Sequence, residues 1–135
     1  MSHTPTGPAL AVDCVVFDGQ GRLLLVRRGR EPFKGRYALP GGFVDAGERV
    51  EAAALRELRE ETGVVGKIER LVGVYSDPGR DPRGPVVSIA FMVAPATELA
   101  SGGDDAEDAV FVADWEPTEL AFDHARIVAD ALRAR

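Results

Sequence analysis

Only one cysteine, Cys14, occurs among the 135 residues, so no disulfide can close within the chain and no CxxC pair offers a sulfur-based metal or redox site. That scarcity points to a reducing, cytoplasmic setting. Positive charge is also short: 16 lysines and arginines stand against 22 acidic residues, a formal charge of −6. Nonspecific duplex binding needs a broad basic surface, so no nucleic-acid polymer is expected as a partner. A smaller phosphate ester stays open if a metal ion or a few arginines reverse the local field. The apolar runs are too short to cross a bilayer. Residues 1–8 lack the basic start and apolar core of a secretory signal, and no lipidation signal is evident. No membrane partner is expected. Internal repeats, heptads and low-complexity tracts are missing as well.

What is present suits one folded domain. A hydrophobic fraction of 45% with 28% charged residues supplies a modest core, and the length fits a single unit. The polar, proline-containing residues 1–8 read as a flexible arm and residues 9–135 as the domain. Leu10–Phe17 and Arg22–Val26 read as strands joined across Asp18-Gly19-Gln20-Gly21 into a hairpin. Arg27–Phe43, rich in glycine and basic residues, reads as a loop with a short extended piece at Tyr37–Leu39. Gly47–Thr62 carries helix formers and ends at Gly63, a natural stop. Lys67–Ser76 is extended, and Asp77–Pro85 is crowded with turn residues. In the strand Val86–Ala94, Val87, Ile89, Phe91 and Val93 share one face while Ala90 and Met92 leave the other only weakly polar, the mark of a sheet covered on both sides. An acidic loop at Ser101–Asp108 precedes a strand at Ala109–Ala113, and Pro117–Leu120 begins a short turn or helix. Asp123 is placed to cap a last helix, His124–Leu132, which packs through Ile127, Val128 and Ala131. Strands with two principal helices point to α/β architecture.

The chemistry concentrates at Gly42-Phe43-Val44-Asp45-Ala46-Gly47-Glu48 and, seven residues on, Arg56-Glu57-Leu58-Arg59-Glu60-Glu61-Thr62-Gly63-Val64. At about 100° per residue, Glu60 and Glu61 fall about 60° to one side and about 40° to the other side of Glu57. The three carboxylates therefore share a helix face, continuous with Val50, Ala53 and Ala54. Interleaved Arg56 and Arg59 also allow a plain salt-bridged surface helix. Compensation by Mg²⁺ or Mn²⁺ is the functional reading, since hard cations take oxygen ligands. The glycines ahead of the helix let a backbone carbonyl approach the same ion, Gly41 being the best placed. Glu48 and Arg56 are candidates for a structural ion pair.

Gly42 to Val64 resembles the defining box of the Nudix hydrolase family at every fixed position: glycine, five residues, glutamate, seven residues, then Arg-Glu-aliphatic-X-Glu-Glu-X-Gly-aliphatic. The resemblance implies a Nudix-type α/β/α sandwich around a mixed β-sheet, and hydrolysis of a nucleoside diphosphate linked to another group. It implies that Glu57, Glu60 and Glu61 bind the metal, that Gly41 adds its backbone oxygen, and that Gly42, Glu48, Arg56 and Gly63 support the motif. Both Glu57 and a residue of the acidic loop, Glu107 first with Asp104 and Asp105 behind it, are candidates to take the proton of an attacking water.

Asp77-Pro78-Gly79-Arg80-Asp81-Pro82-Arg83-Gly84 reads as a charged turn, or as a loop offering arginines to phosphate oxygens. It resembles a pattern of ADP-ribose pyrophosphatase-like Nudix proteins. That likeness implies that Arg80 and Arg83 hold the pyrophosphate or its ribose and that Ser88 shapes the pocket. Arg27, Arg36 and Tyr37 are further candidates for phosphate contact and base stacking. Phe33, Trp115 and His124 read first as packing or capping residues. The leading expectation is Mg²⁺-dependent conversion of ADP-ribose to AMP and ribose 5-phosphate. Its alternatives are a nucleoside triphosphate pyrophosphohydrolase and a noncatalytic sensor of nucleotide-derived ligands. A homodimer is expected from the resemblance alone.

Overall fold

A computed structural model of the chain describes residues 7–96 and 108–133. Residues 1–6 of the expected arm and residues 97–107, which include most of the acidic loop and Glu107, lie outside the described residues. Gly7 and Pro8 are exposed.

Two sheets and two helices make up the domain. The strands β1 (Ala9–Val15), β4 (Gly41–Phe43), β5 (Gly66–Tyr75) and β6 (Val86–Pro95) form one sheet in the order β4-β1-β6-β5, and β2 (Leu23–Arg27), β3 (Tyr37–Ala38) and β7 (Ala109–Val112) form the other in the order β3-β2-β7. The larger sheet is mixed, with β1 parallel to β6 and antiparallel to β4. Side chains alternate across each strand, and each helix takes one set. Val12, Cys14, Val16, Leu24, Phe91 and Val93 pack with Ala53, Ala54 and Leu58 of α1 (Val50–Thr62). Val15, Leu23, Leu25, Ala90 and Met92 pack with Ile127, Val128 and Ala131 of α2 (His124–Arg133). An α/β/α sandwich results, with both faces covered as the β6 pattern predicts. Among the described residues no helix is long and apolar enough to cross a membrane.

The Asp18 turn forms, but its strands part. The Asp18 carboxylate accepts the Gln20 and Arg22 amides, each at 2.9 Å, and Phe17 bridges to Leu23. Beyond that bridge β1 has no free edge, because β4 and β6 occupy both sides, so β2 enters the second sheet instead of extending a hairpin. Helix α1 starts at Val50 rather than Gly47. Gly47 takes a φ of 78°, a left-handed conformation that a right-handed helix cannot include. Gly63 ends the helix as expected, its amide bonded to the Arg59 carbonyl. The loop reading of Arg27–Phe43 overlooks β4. A turn forms at Pro117 as expected, the Thr118 amide bonding the Trp115 carbonyl at 3.0 Å, and Leu120 beyond it bridges to Tyr37. The Asp123 carboxylate is engaged by Arg80, while its carbonyl accepts the amide of Ile127 in α2.

Candidate active site

Arg56 organises the glutamate helix. Its Nε and Nη2 donate to the two oxygens of Glu48 at 2.8 and 3.0 Å, its Nη1 to Glu57 at 2.8 Å and Glu60 at 3.2 Å, and Nη2 also to the Phe43 carbonyl at 3.2 Å. One guanidinium thus ties the turn before α1 to the acidic face. The expected Glu48–Arg56 pair is present in bidentate form, and it holds the Glu48 carboxyl down at about 2. Burial pushes the Glu57 carboxyl up from its ordinary range, against the opposing pull of Arg56.

The two glycines of β4 bring backbone against carboxylates. A Cβ on Gly42 would lie 2.5 and 2.7 Å from the Glu57 oxygens, and one on Gly41 would lie 2.6 Å from Asp13 Oδ1. A side chain at 41 would strike the backbone carbonyl of Val12, and one at 42 would fit only if Glu57 moved aside. The Gly41 amide donates to Glu61 Oε1 at 2.8 Å. Because Cys14 N–H bonds the Pro40 carbonyl and Val44 N–H the Leu10 carbonyl, residues 40, 42 and 44 face β1 in the ladder. Gly41 therefore turns its own N–H and C=O outward, off the sheet edge.

These groups open on a cleft of about 540 Å³. Glu57 and Glu61 line it, as do Gly41 and Gly42. Glu60 does not, its side chain being 53% exposed where that of Glu57 is 16%. Among the described residues no three His, Cys, Asp or Glu side chains are grouped closely enough to hold a metal by themselves. The donors available, carboxylates and the Gly41 carbonyl, are all oxygen. Such a set fits a hard divalent cation that keeps waters and shares substrate oxygens, rather than one caged by protein alone.

Basic residues line the same cleft: Arg27, Arg28, Arg30, Arg80 and Arg83. Arg80 and Arg83 are differently placed. Arg80 donates to both Asp123 oxygens at 2.5 and 2.8 Å and to Ser88 Oγ at 2.9 Å, and its side chain is 4% exposed. It acts as a built-in strut, with Ser88 as its partner, and has little capacity left for a phosphate. Arg83 is 44% exposed, is held by Asp81 at 2.7 Å, and lies over the rings of Phe43 and Phe122 at 5.3 and 5.7 Å. Arg27 donates to Tyr37 Oη at 3.3 Å and stacks on its ring. The structure does not bring Tyr37 or Arg36 into the cleft lining. Tyr37 packs against the α2-side core, and Arg36 leans on the Phe33 ring and pairs with Glu119 at 3.8 Å.

Sequence reasoning missed several residues of the lining. Phe122, with a φ of 54°, carries Arg28 over its ring at 4.9 Å and meets Phe33, with a φ of 63°, edge to face at 4.8 Å. Bulky residues at positive φ are strained and collect at functional sites, but nothing in their sequence signals it. Asp13 and His124 are both buried in the cleft wall. A carboxylate inside the apolar strand Ala-Val-Asp-Cys-Val was the available signal for Asp13.

The NUDIX domain family model matches residues 7–133. An ADP-ribose pyrophosphatase of Methanocaldococcus jannaschii is 48% identical over 126 residues, 93% of this chain and 74% of that protein. The NUDIX domain of Shewanella oneidensis NrtR, solved with ADP ribose, superposes with a TM-score of 0.79 at 32% identity, covering 96% of this chain and 89% of the other. A bifunctional NMN adenylyltransferase/ADP ribose pyrophosphatase of Francisella tularensis, solved with AMP and a Mn ion, gives a TM-score of 0.82 at 25% identity over 95% of this chain, which spans 42% of that protein.

Proposed function

The chain belongs to the NUDIX domain family, and from that membership we propose that it hydrolyses ADP-ribose to AMP and ribose 5-phosphate with Mg²⁺, or Mn²⁺ in its place. One observation carries this reading: Glu57 and Glu61 line a single cleft together with Arg27, Arg28 and Arg83. A pyrophosphate needs both, since its charge must be neutralised at the bond that breaks and gripped at the outer oxygens. Glu57, Glu60, Glu61 and the Gly41 carbonyl would hold the ion, which would supply charge neutralisation and a more acidic water.

The chain's own groups do the rest. Glu57, which lines the cleft, is the first candidate to accept the proton of the attacking water, with Glu107 as the alternative. Arg56 and Glu48 hold the glutamates in place, and Arg83 can turn from Asp81 toward a phosphate. The Methanocaldococcus relative's name and the ADP-ribose bound to the Shewanella domain support the substrate. Mg²⁺ as the ion and a homodimer belong to the same proposal.

A second reading, binding of ADP-ribose without turnover, draws on the NrtR likeness. Product analysis separates the two. Incubation of ADP-ribose with the protein and Mg²⁺ is expected to yield AMP and ribose 5-phosphate in equal amounts, and no products after chelation. Saturable ADP-ribose binding with no products would replace hydrolysis by sensing.

A further inference from the structure

His124 opens α2 on the far side of the sheet from the glutamate helix, and its side chain is 6% exposed. Its Nδ1 accepts the Leu39 amide at 3.0 Å. An acceptor nitrogen carries no proton, so the ring proton sits on Nε2, and Nε2 faces Asp13 Oδ1 at 3.4 Å. Asp13 in turn is the cross-strand partner of Gly41 and fills the space a Gly41 side chain would need. We propose that His124 is a positioning residue: by accepting the Leu39 amide, with its other nitrogen set against Asp13, it fixes the Leu39–Gly41 segment so that Gly41 presents its backbone to the glutamate helix.

Three contacts secure that segment. His124 holds Leu39, the Cys14 amide holds the Pro40 carbonyl at 2.8 Å, and Glu61 holds the Gly41 amide at 2.8 Å. Of these, the first comes from neither β1 nor α1, so it ties the candidate metal strand to the second helix. A histidine present only to fill the core would need neither polar contact. Asp13 shows a second departure from plain packing: its Oδ2 is buried and has no hydrogen-bond partner among the described residues. A buried polar atom left unsatisfied costs stability and asks for a functional reason. Here the carboxylate occupies the one gap that the glycine leaves, directly behind the strand that α1 faces.

The inference rests on reading the cleft as a pyrophosphohydrolase site, so its test includes a measurement independent of turnover. In the full-length protein, His124→Asn, His124→Gln and His124→Leu are compared for thermal unfolding, for Mn²⁺ affinity by electron paramagnetic resonance titration, and for kcat and KM on ADP-ribose. The Asn amide oxygen can replace Nδ1 as acceptor for Leu39, whereas Gln reaches toward the Nε2 position and Leu offers no acceptor. Partners that orient metal-binding groups typically change metal affinity or activity 10–100-fold when removed. Gln and Leu are therefore expected to lose about tenfold or more in Mn²⁺ affinity and in kcat, with KM changed less, while Asn retains most of both. Should Leu fail to fold, the Asn and Gln pair decides. Equal Mn²⁺ affinity in all three variants and the parent overturns the proposal, and so does a loss in Asn as large as in Gln. If the parent protein turns over no ADP-ribose, the hydrolytic reading fails, while the Mn²⁺ series still tests the positioning role.

Discussion

The carboxylate of Glu57 lies in the space that a side chain on Gly42 would occupy, with its oxygens 2.5 and 2.7 Å from that Cβ position. Glycine at 42 and glutamate at 57 are thus one device: the first is bare so that the second can lie against the strand.

Gly42→Ala should therefore separate activity from folding. The atoms in its way are the end of a flexible side chain, so Glu57 is expected to swing aside while the fold survives. Turnover is expected to fall by about 100-fold with a small change in Tm. Gly41→Ala should behave differently, because its Cβ would strike the backbone carbonyl of Val12 as well as Asp13. A large drop in Tm is expected there, measured by circular dichroism.

Glu57→Gln keeps the shape and removes the charge. Little change in Tm and a loss of at least about 100-fold in kcat are expected. Rates near those of the parent would remove Glu57 from the mechanism.

The two arginines of the Asp77–Pro85 turn should part company. Arg80→Ala leaves Asp123 and Ser88 without their shared partner in a largely buried setting, where breaking a pair costs about 3 kcal/mol. A Tm lowered by roughly 10 °C is the expected result. Arg83→Ala removes a more exposed group, so KM for the substrate should rise with Tm nearly unchanged. The reverse pattern would reassign the phosphate grip to Arg80.

Acid should weaken the turn before α1. The Glu48 carboxyl sits at about 2 because Arg56 and the Asp45 amide hydrogen-bond to it, against about 4.3 in an unfolded chain. The folded state therefore binds fewer protons in that interval. The stabilisation is complete above the unfolded value and is lost as pH falls toward 2. Glu48→Gln should flatten this part of a plot of Tm against pH between 5 and 2, and an unchanged slope would show that other carboxylates govern acid unfolding.

Much of this site was legible before any fold was known, because its central part is local. Glu57, Glu60 and Glu61 share a helix face by spacing alone, although only Glu57 and Glu61 reach the cleft lining, and Gly63 stops the helix through a conformation that only glycine adopts easily. Period-two patterning likewise marked β6 as covered on both sides. Partners joined across the fold were not legible. The reach of His124 to Leu39 spans 85 positions and that of Arg80 to Asp123 spans 43. Neither follows any spacing rule, and each depends on where α2 docks. The β1–β2 hairpin parted for a related reason: the turn chemistry at Asp18 was correct, but β4 and β6 occupy both edges of β1.

Steady-state kinetics on a panel of ADP-ribose, NADH, diadenosine polyphosphates and ordinary or oxidised nucleoside triphosphates, with and without Mg²⁺, tests the central claim most directly. Metal-dependent hydrolysis with kcat/KM highest for ADP-ribose is the predicted result. A triphosphate or another panel member preferred by orders of magnitude, or no metal-dependent turnover of any of them, would contradict it.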